Sequence, residues 1–228
     1  MKANRLTLAA VAGVSVLALT GCAPTGDVAA KIGGATIRST DVDFLAGVYC
    51  AESNKAAAGG TSQAQPVTKQ AVRASMLTML LETQIESQLG RAAQVPVDQA
   101  SVTQQLAQYE GTFAATSAAD QKRYLALFRK LYEARTQFQA LVNAQAAAAG
   151  AGDKPSDEQL QAIAAQDFST FVAKKHVEID PVYGVDKKLV GNIDPSLSVA
   201  LSSFSKKATA AQPDTAWVGA LPKNQRCG

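Results

Sequence analysis

Apolar positions fall into three kinds of pattern along this chain. The first is a near-unbroken run, Leu6 to Leu19, with Lys2 and Arg5 ahead of it and Thr20, Gly21 and Cys22 behind. A basic start, a short apolar run and a small-residue end predict a secretory signal peptide over residues 1–21. The run falls short of the roughly 20 apolar residues that a membrane span needs. The second pattern is two short β-prone pieces between Val28 and Ile37, separated by Gly33-Gly34, which predicts a hairpin.

The third pattern, apolar residues three and four apart, predicts helices and fills most of the rest. A first helix over about Asp41 to Lys55, capped by Thr40 with Asp43, would bury Val42, Leu45, Val48 and Tyr49. A flexible stretch, Ala56 to Gln65, ends at Pro66, and Thr68 can cap a long helix to about Ala93. That helix carries two stripes: Val72, Met76, Met79, Leu80 and Thr83 on one, and Leu77, Leu81, Ile85 and Leu89 on the other. An apolar face so wide predicts a central helix. Asp98 caps a third helix with Val102, Leu106 and Tyr109. Gly111 to Thr116 reads as a turn. Ser117 opens a fourth helix to about Gln145, marked by Tyr124, Phe128, Leu131, Phe138, Leu141 and Val142. After the low-complexity Ala146 to Lys154, a capping box of Ser156 with Gln159 starts a fifth helix to about Lys175. Leu160, Ile163, Phe168, Phe171 and Val172 form its stripe. Val177 to Ile179 alternates like a strand, and isolated hairpins are marginal, so this strand is the expected third partner of the hairpin. Beyond Tyr183 only Leu197 to Leu201 looks strand-like. The fold class is therefore mainly α, with a small β element made by an N-terminal hairpin and a late strand.

Composition removes several functions. The net charge is only +3, and loss of Lys2 and Arg5 with the signal peptide lowers it to +1. Nucleic-acid binders gather a larger basic excess, so no nucleic-acid partner is expected. One histidine and three widely spaced cysteines leave little material for a metal site or a Cys/His pair. Gly33-Gly34 is too short for a phosphate loop, and Ser202-Ser203 has no nucleophile-elbow context. Lone His176 reads as a packing or surface residue, and Asp41 and Asp43 as first-turn complements of a helix dipole. Lys187-Lys188 and Lys206-Lys207 read as solvated surface. No cofactor is implied, and no catalytic residue is assigned.

Leu19-Thr20-Gly21-Cys22 resembles the lipobox of bacterial lipoproteins. The resemblance implies a diacylglyceryl group on Cys22, cleavage ahead of it, and an extracytoplasmic protein held on the cell membrane by its acyl chains, palmitate among them. Residues 22–27 would then be a lipidated tether. With Cys22 assigned, Cys50 and Cys227 remain. In an oxidising compartment an even remainder points to one disulfide, and the alternative is two unrelated free thiols. The bridge would dock the tail, residues 185–228, across the first helix, with Trp217 and Leu221 near the hairpin end of the domain.

Ala30-Lys31-Ile32-Gly33-Gly34-Ala35-Thr36-Ile37-Arg38-Ser39-Thr40-Asp41-Val42 resembles the V-N-G-x-x-I-T-x-x-D-V opening of the SurA/PrsA-type foldases. Val177-Glu178-Ile179-Asp180-Pro181-Val182-Tyr183-Gly184 resembles their closing V-x-V-[ND]-P-R-Y-G strand, with Val182 in place of the usual basic residue. The resemblance spans residues 28–184 and implies a helical chaperone domain that holds unfolded secreted chains without ATP. Many such proteins insert a parvulin isomerase between the last two helices. Here the matching place, Ala146 to Lys154, is far shorter than a domain. The parvulin histidine pair is also missing, so isomerase activity is not expected. Met76, Met79 and Leu80 are the candidate client-binding residues, because flexible, polarisable methionines suit varied apolar ligands. Core packing is the competing reading for the same residues. Two functions follow: a lipid-anchored chaperone or foldase-like protein for unfolded or nascent secreted chains, or a non-catalytic envelope lipoprotein with one dedicated partner.

Overall fold

The computed structural model describes residues 27–59, 65–109, 117–150, 155–186 and 214–228. Strand β1 (Val28–Ile32) turns through Gly33-Gly34 into β2 (Ala35–Arg38). Both turn glycines have positive φ, +55° and +85°, the pair of values that a two-residue type I′ turn requires. A Cβ on Gly33 would also run into the Gln88 side-chain amide. Strand β4 (Val177–Ile179) adds antiparallel to the free side of β1, giving the order β2-β1-β4. The late strand thus pairs with the hairpin as the alternation of Val177 and Ile179 predicts.

β2 runs straight into α1 (Ser39–Ala58), which starts earlier and ends later than its periodicity suggests. Its cap differs from expectation. The N-cap is Arg38, which makes no side-chain capping bond, and Thr40 lies inside the helix. Asp27 caps it from the start of the hairpin instead. Its carbonyl accepts from Ser39 N–H at 3.0 Å, and its carboxylate from Thr40 N–H at 3.4 Å. Helix starts leave orphan N–H groups, and here the neighbouring strand end supplies the acceptors. Val42 and Leu45 are buried as expected, but Tyr49 is 46% exposed. The inward positions continue through Ala46 and Cys50, so the helical period turns Tyr49 outward.

The two-residue strand β3 (Val67–Thr68) precedes α2 (Lys69–Ala92), whose first turn is capped by the Thr68 hydroxyl. α2 is the centre of the fold. It packs against α1, the sheet, the 3₁₀ turn Pro181–Tyr183 and, most extensively, α4 (Ala118–Ala148). Its second stripe does most of the burying: Leu77, Leu81 and Ile85 are fully enclosed beneath Ala29, Ala30 and Ile32 of β1. Each such side chain contributes about 2 kcal/mol by leaving water. α3 (Gln99–Ala107) is capped by Asp98 and lies on α4 through Val102 and Leu106. α4 begins at the Ser117 cap, and α5 (Asp157–Lys174) begins at the full Ser156–Gln159 capping box. α5 returns along α4, with the Phe138 and Phe168 rings edge to face at 5.3 Å. Only Phe171 of α5 is fully buried.

The described part of the tail holds a short helix, α6 (Thr215–Gly219), and β5 (Arg226–Cys227). β5 pairs antiparallel with β3, a second two-stranded sheet that nothing in the sequence pattern marks. Trp217 and Leu221 therefore sit in the segment packed on β3 and the far half of α1, not beside the hairpin. The reason is covalent: α1 leads away from the hairpin, and Cys50 lies eleven residues, roughly 16 Å, along it from Ser39. Leu197 to Leu201 lies outside the described residues.

Candidate functional site

Met76 lies half-buried at the junction of three apolar clusters. One is the main core under the sheet. The second joins Ala46, Cys50, Val72 and Cys227. The third joins Leu45 and Tyr124 with Phe44, Val48 and Phe128 around them. Met79 belongs to the third cluster, and Leu80 to the first and third. All three candidate client-binding residues are therefore packed between α1, α2 and α4. Their flexible side chains fill an irregular three-way seam, the gap-filling use of methionine in cores.

The Cys50–Cys227 disulfide is formed, with Cα atoms 4.7 Å apart and both residues buried. It closes a loop across 177 positions. Around it the C-terminus is fixed by further bonds: Lys69 N–H to the Gln225 carbonyl at 3.0 Å, and Gly228 N–H to Asn54 Oδ1 at 2.8 Å. Arg226 donates to the Leu221 and Gly228 carbonyls, and Val218 and Leu221 are buried. Cys22, the expected lipid attachment residue, lies outside the described residues, as do Ser202, Ser203, Lys188 and Lys206.

His176 is on the surface, its Nε2 2.8 Å from Glu178 Oε1, and Lys31 approaches the same carboxylate at 3.5 Å. The His176 hydrogen bond, aided by Lys31, holds the Glu178 carboxyl below its ordinary range. Asp41 and Asp43 do more than complement a dipole. Arg123 of α4 reaches Asp41 at 2.8 Å and the Thr40 carbonyl at 3.0 Å, while its guanidinium lies 4.4 Å from the Phe44 ring centre. Arg73 of α2 reaches Asp43 at 2.7 Å and lies 5.0 Å over the Tyr183 ring. The two aspartates clamp the start of α1 to α4 and α2.

Two groupings go beyond the sequence reading, which placed Tyr109, Tyr124 and Phe128 on separate helix stripes and did not single out Glu82, Glu86 or Tyr132. Glu82 and Glu86, one turn apart on α2, lie partly buried toward Arg135 of α4. Burial pushes both carboxyls up, Glu86 to about 7, against the pull of Arg135. Their spacing is the only sequence signal, and it equally describes a solvated face. Tyr109, Tyr124, Phe128 and Tyr132 form an aromatic group joining α3 to α4, with Tyr124 and Phe128 stacked at 4.1 Å. The Tyr109 and Tyr132 hydroxyls meet at 2.9 Å, and burial with that bond pushes Tyr132 up to about 12.

Among the described residues no three His, Cys, Asp or Glu side chains are grouped to hold a metal, and no helix is long and apolar enough to cross a membrane. No family model, curated protein or solved structure matches the chain.

Proposed function

We propose that this chain is a lipid-anchored, extracytoplasmic, ATP-independent chaperone or foldase-like protein that binds unfolded secreted polypeptides and carries no isomerase activity. The observation that supports it is the pairing of β1 with both β2 and β4 around an intervening set of helices. It is the arrangement that the resemblance of the segments at Ala30 and Val177 to foldase motifs implies. Cys22 carries the anchor in this reading, and the acyl chains supply an affinity that no single chain would. Since Met76, Met79 and Leu80 are packed in the seam, the client surface falls to half-buried apolar side chains that join no core cluster. Leu160 and Ile163 on α5 are half-buried and lie one turn apart on one helix, outside the three clusters. Binding there is by apolar burial, which is non-directional and tolerant of sequence.

One observation favours a second reading. Among the described residues only Tyr49 and Val182 are large apolar side chains with wide exposure. A surface so sparing suits a lipoprotein with one dedicated envelope partner, since large exposed apolar patches mark broad binding. The test is aggregation suppression of several unrelated unfolded proteins at near-stoichiometric ratios. The chaperone reading expects suppression of most of them, reduced when Leu160 and Ile163 are changed to Ser. Capture of a single folded partner, with no effect on aggregation, would establish the second reading instead.

A further inference from the structure

The end of the tail is docked through its backbone. β5 lies on β3 with Val67 opposite Cys227 and Thr68 opposite Arg226. Lys69 N–H donates to the Gln225 carbonyl at 3.0 Å, and Gly228 N–H to Asn54 Oδ1 at 2.8 Å. On the tail side these are main-chain groups. The Arg226 side chain turns back onto the Leu221 and Gly228 carbonyls of its own segment. One small side chain, Cys227, completes an apolar floor made by Ala46, Cys50, Val67, Val72 and Met76. Pairing along a strand edge, with a pocket for one side chain, is how sequence-tolerant sites hold extended peptides.

This docking is separable from the rest of the fold. The floor is a satellite of the main core, and no described residue of the tail from Asp214 onward belongs to that core. Met76 borders both and is the adaptable member. Without the tail, Ala46, Val67 and Val72 would be uncovered and the edge of β3 unpaired, a surface that invites another extended chain. The bond between Cys50 and Cys227 keeps the site filled, because a segment arriving from outside meets an occupant that cannot leave.

We propose that the far half of α1, β3 and the first turns of α2 form a groove for an extended segment of unfolded polypeptide, filled by residues 225–228 in the oxidised protein and opened when the Cys50–Cys227 bond is reduced. The client class rests on the chaperone reading, and the groove itself does not. The reductant is an external dithiol. One of its thiolates attacks a sulfur of the bridge, and the other cysteine leaves as a thiolate. The second thiol of the reductant then resolves the mixed disulfide. Each cysteine takes the proton that an attacking thiol gave up, and the reductant ends as a cyclic disulfide after losing two electrons. Both cysteines are buried, so attack waits on local opening of the β3–β5 pair, which two residues a side hold weakly.

The test uses the full-length protein with a photo-crosslinking phenylalanine derivative at position 54, where the Asn54 side chain meets the tail, or at position 36, exposed on β2. Asn54 stands about 22 Å along α1 from Ser39, which follows β2, so position 36 reports a remote surface. The probe client is reduced, carboxymethylated α-lactalbumin, which is unfolded and free of thiols. Oxidised protein is expected to crosslink to its own tail at position 54. With dithiothreitol, client adducts at position 54 are expected to rise about fivefold or more, since the tail is no longer fixed in place, while those at position 36 stay level. No rise at position 54, or an equal rise at both positions, in protein that keeps its helical signal would overturn the proposal. It would leave the chaperone reading to aggregation suppression by the oxidised protein, which does not use this groove. If the reduced protein loses its helical signal, Cys227→Ala is refolded with a peptide of residues 221–228, whose cysteine can bond Cys50. Recovery of the signal with that peptide and not with a scrambled one supports the groove. Recovery with both, or with neither, overturns it.

Discussion

At the scale of single residues, the seam between α2 and α4 sets the sharpest constraints. Gly90 is buried, and a Cβ there would lie 2.7 Å from Gln137 Cβ. Gln137 cannot retreat freely, because its Nε2 donates to the Val95 carbonyl at 2.6 Å. Gly90→Ala should therefore cost about 1–2 kcal/mol, an overpacking loss partly offset by the better helix propensity of alanine. Urea unfolding of the two forms measures it, and a gain in stability would show that the helices separate at no cost. Glu86, in the same seam, makes stability depend on pH. Its folded pKa of about 7 exceeds the ordinary value of 4.5, so between these pH values the folded state binds the extra proton. Stability from this group is thus complete at and below about 4.5, falls as pH rises to about 7, and is flat above. Glu86→Gln should raise Tm at pH 8 and leave it nearly unchanged at pH 4.5. Equal shifts at both pH values would show that the carboxyl titrates normally.

At the scale of elements, the two-residue strands β3 and β5 are too short to hold each other in water. Their pairing depends on the Cys50–Cys227 bond and on the small cluster of Ala46, Val72 and the two cysteines. In the chain-entropy account, a loop across 177 positions stabilises the fold by about 4–5 kcal/mol at most. Cys50→Ala with Cys227→Ala should lower stability by up to that amount. It should also speed amide exchange at Lys69, whose N–H is bonded to the Gln225 carbonyl, more than at Leu81 in the core. Unchanged exchange at Lys69 would mean that the non-covalent contacts of Val218, Leu221 and Arg226 suffice. The hairpin differs in kind. It is buttressed by β4 and by α2, and Gln88 bonds the Ile32 carbonyl at the turn itself.

At the scale of the whole molecule, the three-cluster position of Met76 separates folding from binding. Met76→Glu would place a carboxylate between α1, α2 and α4, and an unpaired buried charge is among the most destabilising single changes. The expected outcome is loss of helical signal at moderate temperature, together with any aggregation suppression. Selective loss of suppression with an intact fold would return Met76 to a client-facing role. The proposed binding residues Leu160 and Ile163 should behave in the opposite way, since they join none of the three clusters.

The five longer helices, the hairpin, the late strand and the helix caps at Thr68, Asp98, Ser117 and Ser156 are written in local sequence, whereas α6 of the tail is not. Each depends on spacing or on side chains within a turn of where they act. The disulfide followed from counting cysteines once a compartment had been inferred. What the local pattern leaves undecided is which apolar stripe faces which neighbour. Met76, Met79 and Leu80 read equally well as a client surface or as core, and only the arrival of α1 and α4 on that side of α2 packs them, half-buried, into a seam. The cap of α1 was misread for the same reason, since its acceptor, Asp27, is contributed across the hairpin and not from the helix's own first turn. Tyr49 turned outward because Cys50 turned inward to meet a residue at the far end of the chain. The β3–β5 pairing has no sequence signature at all: two residues carry no period, and their partner strand is defined only when the disulfide and α1 bring the tail to β3.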